Sequence, residues 1–429
     1  MSEGQFLSET KRRRFRPYPK YKDSGVEWLG KIPVHWNAFT LKRICRLAYG
    51  DALQSEERRT GDVEVFGSNG AIGTHDRANT RGPCLVVGRK GSFGKINYSS
   101  NPVFAIDTTF FVDRHLTDAD LRWLFYILTW LRLDTISKDS AIPGLDREDT
   151  YACPVPSCNQ KEQQAIASFL DRETAKIDAL IEKKERLTEL LQEKRTALIT
   201  QAITKGLNPT VPMKDSGVEW LGKIPTHWEV KRLKQVGMAI IGLTYDPTDV
   251  VGPEEGVIVL RASNVCDGHI ILEDNVFVNR TIPERLSTKV DDILICSRSG
   301  SRALIGKSAK IDKSLIGLTF GAFMTVFRSV CNDYLFYAFN STIFNYQSGA
   351  FLTSTINQLT ISNLNNFTVP VPPHDEQSAI ATFLDCETAR IDALVAQIHE
   401  AIDRLKEYRT ALISAAVTGK IDVRAEVAQ

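Results

Sequence analysis

Two long stretches of the chain carry apolar residues at alternating intervals of three and four positions. In the second stretch the repeat runs through Ile391, Leu394, Ile398, Ala401, Leu405, Tyr408, Leu412 and Ala415. In the first stretch it runs through Ile177, Leu180, Leu187, Leu191 and Leu198, with Lys184 and Lys194 where the pattern needs apolar residues. This spacing predicts two long helices that pair as a coiled coil. The alternative is that each helix packs only on its own neighbouring block.

Local signals mark where these helices begin and end. Asn159 and Glu162 have the spacing of a capping box, in which two side chains satisfy N–H groups of the first turn. Gly206 and Gly419 lie just beyond the periodic residues, as glycine does where helices stop. A helix over 162–205 would be about 65 Å long. A helix of that length needs a partner, and an antiparallel pair would supply one.

The segments at 38–158 and 230–372 have a different pattern. Short apolar, β-branched or aromatic runs lie between glycine and polar residues, at 85–88, 104–112, 256–263, 292–296 and 320–328. Such runs predict strands. Short helices are predicted near 121–131 and 333–341. Each segment is therefore expected to be a mixed α/β block.

The whole arrangement occurs twice. Residues 22–36 read KDSGVEWLGKIPVHW and residues 214–228 read KDSGVEWLGKIPTHW, which differ only at Val34 and Thr226. The helix that starts near Glu162 is matched in the same way by a second that starts near Glu376. Repeats with constant offsets indicate that one half-molecule has been duplicated.

One local feature is shared by the two divergent blocks. LVVGRKGSFGK (85–95) and ILICSRSGSRALIGK (293–307) each contain an apolar strand, an Arg-x-Gly-Ser turn and a returning Gly-Lys. A glycine-rich hairpin lets its backbone approach a phosphate, and arginine can bind phosphate or guanine. The predicted DNA contacts are Arg89, Lys90, Ser92, Lys95, Arg298, Ser299, Ser301, Arg302 and Lys307. An ordinary exposed hairpin is the alternative. A Walker A loop is excluded, because five residues separate Gly300 from Gly306 where that loop has four.

Composition narrows the functional class. The chain has 429 residues, 43% hydrophobic and 24% charged, with a formal net charge of +1, which is ordinary for a globular protein. No apolar run reaches the roughly 20 residues of a membrane span. Eight cysteines without CxxC spacing fit a reducing cytosol. The basic cluster at 11–16 is either a solvated tail or a nucleic-acid contact. No metal-binding or catalytic motif is found, so no cofactor is expected.

The order of these parts resembles the specificity (S) subunits of type I restriction–modification systems. DSGVEWLGKIPVHW, EQQAIASFLDRETAKIDAL and EKRTALITQAITKG are similar to the repeated segments of that family. The resemblance covers nearly the whole chain. It implies an α+β fold with two mixed α/β target-recognition domains, separated by an antiparallel two-helix coiled coil with internal pseudo-twofold duplication. The implied domains are a first target-recognition domain at 1–159 with a basic N-terminal arm and a second target-recognition domain at 207–373. A central conserved long helix at 160–206 and a C-terminal conserved long helix at 374–429 complete the chain.

The resemblance also implies a function in phage defence. Each recognition domain would read one half of a split target in double-stranded DNA. Two methyltransferase subunits and an ATP-dependent restriction subunit would be the partners, in the cytoplasm, and the chain itself would catalyse nothing. The apolar residues of the repeated segment would either brace each block against the helix ends or contact the methyltransferase; they are Trp28, Leu29, Ile32, Trp36, Trp220, Leu221, Ile224 and Trp228. A scaffold that never touches DNA and an unrecognised DNA methyltransferase are the competing hypotheses.

Overall fold

A computed structural model of the chain describes residues 15–136, 144–266, 268–351 and 358–427. Residues 11–14 of the predicted basic arm lie outside these ranges. The helices are α1 (Leu121–Trp130), α2 (Arg147–Ala152), α3 (Gln160–Lys205), α4 (Leu233–Val236), α5 (Asn332–Phe339), α6 (Thr342–Phe351), α7 (Ile361–Asn366) and α8 (His374–Val417). The two long helices and the two short helices predicted from the sequence are thus present. Within the described ranges, no helix is both long and apolar enough for a bilayer.

The chain forms two compact units. Unit 1 contains the described residues of Met1–Lys184 and Glu400–Gln429, and unit 2 is Glu185–His399. Each unit therefore contains one part of α3 and one part of α8. In both units a mixed sheet region packs on these helix segments, so the observed fold is mixed helix and sheet.

Unit 1 contains a four-stranded antiparallel sheet and a three-stranded sheet. Its strands are β1 (Tyr21–Asp23), β2 (Lys31–Pro33), β3 (Asn37–Thr40), β4 (Ala48–Tyr49), β5 (Val63–Gly67), β6 (Gly70–His75), β7 (Cys84–Gly88), β8 (Ile96–Ser99), β9 (Phe104–Ala105), β10 (Thr109–Asp113) and β11 (Pro154–Ser157). The four-stranded sheet has the order β4-β10-β7-β8, and the three-stranded sheet has the order β6-β5-β9. The central strand β7 is fully buried, because its run of apolar residues faces the core on both sides.

Unit 2 contains two four-stranded sheets. Its strands are β12 (Met213–Asp215), β13 (Lys223–Pro225), β14 (Glu229–Arg232), β15 (Met238–Ile241), β16 (Val250–Val251), β17 (Val257–Leu260), β18 (Val265–Cys266), β19 (His269–Ile270), β20 (Val276–Val278), β21 (Ile293–Cys296), β22 (Ser308–Lys310), β23 (Thr319–Phe320), β24 (Met324–Arg328) and β25 (Thr368–Val371). One sheet, β15-β24-β21-β22, repeats the strand order of the four-stranded sheet of unit 1, and the other has the order β16-β20-β17-β23. The divergent sequences of the two blocks therefore form the same main sheet.

The buried face of the long helices differs from the predicted one. Leu180, Leu187 and Leu394 are exposed, with 39%, 46% and 43% of their surfaces accessible, so their assignment to the helix interface is corrected. Ile199 and Ile413 are buried in the cores of their units. Apart from such core residues, a series of less exposed positions recurs at alternating intervals of four and three residues. In α3 they are Ile177, Ile181, Lys184, Thr188, Leu191, Arg195, Leu198 and Ala202, and in α8 they are Ile391, Val395, Ile398, Ile402, Leu405, Arg409, Leu412 and Ala416.

Two arginines account for the difference between the predicted and the observed helix interface. In unit 1, Arg409 Nε of α8 lies 2.9 Å from Asp178 Oδ1 of α3. In unit 2, Arg195 Nε of α3 lies 3.2 Å from Asp392 Oδ1 of α8. Each arginine occupies a heptad position that the hydrophobic pattern assigned to a neighbouring residue, because its stem can pack while its guanidinium reaches a carboxylate. The duplicated helices thus make the same ion pair once in each unit.

Candidate nucleic-acid interface

The two predicted glycine-rich hairpins are present. In unit 1 the hairpin joins β7 to β8, and in unit 2 it joins β21 to β22. Gly94 N–H donates to the Gly88 carbonyl at 2.8 Å, and Gly306 N–H donates to the Cys296 carbonyl at 2.9 Å. Gly94 and Gly306 have φ angles of 77° and 84°, which favour glycine. A Cβ on Gly94 would also lie 2.2 Å from the Asp134 nitrogen, so this turn requires glycine.

Backbone contacts correct the alignment of the two hairpins. Lys90 N–H donates to the Thr108 carbonyl at 3.2 Å, and Arg298 N–H donates to the Phe323 carbonyl at 3.0 Å. Lys90 and Arg298 also form equivalent isolated β-bridges. Lys90 is therefore the counterpart of Arg298. The expected match between Arg89 and Arg298 is wrong by one position, because the two loops differ in length and sequence similarity alone could not set their register.

In unit 1 the predicted side chains surround the tip of the hairpin. Arg89 is half-buried, and its Nη2 donates to the Asp107 carbonyl at 2.6 Å. Its guanidinium lies 5.4 Å from the ring centroid of Tyr49. Lys95 Nζ donates to the Asn69 carbonyl at 2.7 Å. Lys90 and Ser92 are exposed. These side chains reach one loop surface, where Arg89 is held in place before any ligand arrives.

A second arginine, which the sequence analysis missed, joins this surface. Arg147, at the start of α2, places its guanidinium 5.0 Å from the ring centroid of Tyr49. Tyr49 itself is half exposed. Cation–π contacts of this kind stabilise a guanidinium against an aromatic ring. Two arginines thus converge on one exposed tyrosine in unit 1.

In unit 2 the predicted residues line or flank a groove. Arg298 is exposed and lies 5.0 Å from the ring centroid of Phe323, which is itself 55% exposed. Arg302 Nη2 donates to the Gly349 carbonyl at 3.4 Å. Ser301 and Lys307 are exposed and Ser299 is half-buried.

The groove has a volume of about 1190 Å³ and is formed by loops that are distant in sequence. They come from the ends of β15, β17 and β21 and from the turn before β24. Besides Arg298 and Phe323, its wall includes Tyr245, Arg261 and Gln358. No local motif marks these three residues, so the sequence alone did not identify them. The groove presents cationic, amide and aromatic groups, which are the groups that bind DNA bases and phosphates.

Each sheet region is fastened to a long helix by the same three residue types. In unit 1 the Tyr126 hydroxyl donates to Asp171 Oδ1 at 2.7 Å and lies 3.2 Å from Thr174 Oγ1. In unit 2 Tyr337 makes the corresponding contacts with Asp385 and Thr388. The repeated strings FLDRETA and FLDCETA, together with the shared LFY, were the available sequence signal. The loops of both units are thus carried on an anchored helix.

The repeated segment packs at the start of each long helix. Glu162 is buried, accepts a hydrogen bond from the Tyr18 hydroxyl at 2.7 Å, and lies 3.0 Å from His35 Nε2. In unit 2, Glu376 lies 2.8 Å from His227 Nε2. The expected capping box is only half formed, because Asn159 caps the Glu162 N–H at 3.0 Å while the Glu162 carboxylate turns to these other partners.

The apolar residues of the repeated segment divide into two sets. Most are buried in the core of their unit; these are Leu29, Ile32, Trp36, Leu221, Ile224 and Trp228. Trp28 is 57% exposed and stacks 5.3 Å from Trp130. The half-buried Trp220 is 5.8 Å from Tyr346. Bracing of the block thus involves the buried set, whereas each unit also presents an accessible aromatic pair.

The titratable groups of the described residues do not form a metal centre. Within those ranges, no three His, Cys, Asp or Glu residues are grouped as metal ligands would be. Burial raises the pKa of Cys45 to about 12 and that of Cys296 to about 11. These thiols therefore stay protonated at neutral pH and pack as small apolar groups.

Comparisons with known proteins agree with this architecture. The specificity subunit of the type I restriction enzyme MjaVIII, from Methanocaldococcus jannaschii, is 26% identical over 312 residues, which are 70% of each chain. The EcoKI specificity subunit of Escherichia coli K12 is 28% identical over 207 residues, 47% of this chain and 44% of the relative. The matched region thus spans less than half the length of that relative. The EcoDI specificity subunit of Escherichia coli is 21% identical, over 91% of this chain and 90% of the relative.

A solved structure from a type I R-M system has the same fold. It aligns with a TM-score of 0.63 and 17% identity, over 90% of this chain and 98% of that one. The family model of the type I restriction modification DNA specificity domain matches twice, at residues 33–190 and 225–404. Each match covers one mixed sheet region and part of a long helix. Because these two matches cover most of the chain, the protein belongs to the type I restriction modification DNA specificity domain family.

Proposed function

We propose that this chain is the DNA-recognition subunit of a type I restriction–modification complex and reads a bipartite target, with one half-site for each sheet region. One observation carries the proposal: two sheets of the same strand order present arginine and lysine side chains from equivalent hairpins. Shared backbone geometry with different loop side chains suits two readers of different sequences. The chain supplies recognition and no catalytic group of its own.

The proposal assigns a spacer function to the two long helices. The ion pairs Asp178–Arg409 and Arg195–Asp392 join an early part of one helix to a late part of the other. This pairing supports an antiparallel coiled coil, and its heptad positions continue without interruption through both helices. In this arrangement the number of heptads determines the distance between half-sites in the target. The proposed recognition domains are 1–159 and 207–373, and the proposed spacer helices are 160–206 and 374–429.

The duplication also suits two copies of one partner. The repeated segment differs at one position in fifteen, although the sheet regions have diverged. Burial explains why its core residues are the same in both copies, but it does not explain why the exposed Trp28 is repeated. We assign the Trp28–Trp130 and Trp220–Tyr346 pairs to docking sites for two methyltransferase subunits. A restriction subunit that uses ATP would join that assembly.

Exchange of one sheet region tests the two-reader proposal. Residues 38–158 are replaced by the equivalent block of a relative with a known target, and the chain is expressed with its methyltransferase. Sequencing of methylated DNA should show one new half-site and one unchanged half-site. The reciprocal exchange of 230–372 is the matched control and should change the other half. A motif that changes in both halves, or in neither, contradicts two independent readers.

Single substitutions test the hairpins. Arg89→Ala and Arg298→Ala should each weaken recognition of one half-site by roughly 1–3 kcal/mol if the side chain contacts a base. If the side chain contacts phosphate, binding should weaken for all sequences and its salt dependence should fall. Binding isotherms of the assembled complex at two salt concentrations separate these cases. Unchanged affinity and preference for both variants would remove Arg89 and Arg298 from the interface.

A further inference from the structure

We infer that Arg261 in the groove of unit 2 is a specificity-determining residue that contacts a base edge, and that Asp274 is its positioning residue. The inference rests on the proposed DNA-reading function and adds a contact that no sequence motif suggested. Arg261 lies at the end of β17, while Arg298 lies at the end of β21, and both line the same groove. The ligand class is the edge of a base pair within one half-site of duplex DNA.

The Arg261 guanidinium is oriented before DNA binds. Its Nη2 donates to the Asp274 carbonyl at 2.6 Å and lies 3.2 Å from Asp274 Oδ2. Asp274 has a φ angle of 49°, a left-handed conformation that is uncommon for residues other than glycine, asparagine and aspartate. That conformation turns the carbonyl and the carboxylate of one residue toward the same nitrogen. Among the described residues no hydrogen-bond partner is found for Nη1, so its donors are left for a ligand in the groove.

This orientation favours base reading over phosphate binding. A phosphate has acceptors in many directions and can be bound by a flexible cation, whereas a base edge offers acceptors at fixed positions. Guanine presents two neighbouring acceptors, O6 and N7, in the major groove. A guanidinium restrained by Asp274 loses little conformational entropy when it meets such an edge. We therefore assign a guanine in the unit 2 half-site to Arg261.

The position equivalent to Arg261 is occupied by a glycine in unit 1. Ile106 N–H donates to the Phe66 carbonyl at 3.0 Å, and Gly321 N–H donates to the Leu260 carbonyl at 3.0 Å. Phe66 and Leu260 are therefore equivalent, and the next residue is Gly67 in unit 1 and Arg261 in unit 2.

A second position of the groove differs in the same way. Gly144 pairs with Lys90 in unit 1, where Gln358 pairs with Arg298 in unit 2. Two wall positions that carry long polar side chains in unit 2 are thus glycine in unit 1. The two half-sites are consequently read by different sets of side chains, although the supporting strands are the same.

The test uses the full chain assembled with its methyltransferase, and the readout is the methylated motif in genomic DNA. Arg261→Ala should make one guanine position of the unit 2 half-site degenerate, with a loss of discrimination of about 5- to 150-fold. The unit 1 half-site should be unchanged, which also shows that the complex is folded. Arg285→Ala is the matched control, because Arg285 is exposed in the same unit and does not line the groove.

The positioning role has its own variants. Asp274→Ala should relax the same position as Arg261→Ala, since alanine disfavours the left-handed backbone and has no side-chain acceptor. Asp274→Asn should preserve the motif, because asparagine tolerates that backbone and keeps an acceptor oxygen. If Asp274→Ala leaves the motif unchanged, Asp274 does not position the reader.

The outcomes separate this inference from the proposed function. If Arg261→Ala leaves the motif intact while Arg298→Ala or exchange of 230–372 alters the half-site, Arg261 is not a reader, and the proposed function stands. A uniform loss of affinity for all sequences, with a smaller salt dependence, would assign Arg261 to phosphate and overturn the inference. If Arg261→Ala abolishes methylation altogether, binding isotherms of Arg261→Lys are measured on duplexes varied at each position. They distinguish relaxed specificity at one position from a uniform loss of affinity. Unchanged motifs after both block exchanges would refute the proposed function itself.

Discussion

Replacing Tyr126 with phenylalanine removes one hydroxyl from the contact between α1 and α3. That hydroxyl donates to Asp171 Oδ1 at 2.7 Å, and Tyr126 is only 1% exposed. A hydrogen bond to a charged group contributes about 1.5–3 kcal/mol. Asp171 keeps its bond from Arg122 Nε at 2.7 Å and is 40% exposed, so water can replace the lost donor. We therefore expect Tyr126→Phe to lower the free energy of unfolding by about 1.5 kcal/mol.

Chemical denaturation followed by tryptophan fluorescence measures this loss. A unit of this size should lose about 3–6 °C in melting temperature for that change. Tyr337→Phe removes the equivalent hydroxyl from unit 2 and should cost a similar amount. Tyr49→Phe is the matched control, because Tyr49 is half exposed and its hydroxyl has no hydrogen-bond partner among the described residues. It should leave the free energy of unfolding unchanged.

The burial of Tyr126 and its hydrogen bond also predict that the stability of the protein falls at alkaline pH. Burial, ahead of the hydrogen bond to Asp171, raises the pKa of Tyr126 from 10.0 to about 12. A group whose pKa is higher when folded contributes its full stability below the unfolded pKa and loses it as pH rises toward the folded value. The wild-type protein should therefore lose about 1.4 kcal/mol per pH unit from this residue between pH 10 and 12. Tyr126→Phe should have a shallower slope in that window. An unchanged slope and an unchanged unfolding midpoint would refute the anchoring argument.

Three further predictions follow from the long helices and the repeated segment. One extra heptad at equivalent positions of both long helices adds about 10.5 Å to each. The gap of the methylated motif should lengthen by about three base pairs without any change in its half-sites. An unchanged gap would exclude the helices as the spacer. Asp178→Arg should destabilise unit 1 by up to about 1 kcal/mol in urea denaturation, and adding Arg409→Asp should restore part of the lost stability. No recovery in the double variant would mean that this ion pair contributes nothing to stability. Trp28→Ala with the same change at Trp220 should abolish co-purification of the methyltransferase while the circular dichroism spectrum is retained; full co-purification would exclude these tryptophans as docking residues.

Sequence patterns were sufficient wherever one local interaction decides the structure. The glycines at the two hairpin returns were predicted as turns, and both have the positive φ angles that such turns need. The limits of α3 and α8 followed from periodicity together with Asn159, Gly206 and Gly419. The short helices α1 and α5 were recognised by their dense apolar residues. In each case neighbouring residues in the chain make the structure-forming contacts.

Patterns were insufficient where two alternatives have similar local chemistry. Leu180 looks like a better heptad core residue than Ile181, and Leu187 looks better than Thr188, yet Leu180 and Leu187 are exposed. The heptad phase is decided by what packs against the helix, including the ion pairs of Arg195 and Arg409. A hydrophobicity pattern cannot represent those contacts, because the partner carboxylates lie about two hundred residues away in the chain.

The sequence by itself determined that the chain is a duplication, that each half combines a sheet-forming block with a long helix, and that each block contains a glycine-rich basic hairpin. Only the tertiary structure decided which residues share a surface. The groove of unit 2 brings Arg261, Arg298 and Gln358 together from three separate loops, and Arg147 reaches Tyr49 across nearly one hundred residues of unit 1. The physical reason is that a repeat or a turn is encoded by residues close in sequence, whereas a recognition surface depends on strand order and loop register, which are set by packing of the whole unit.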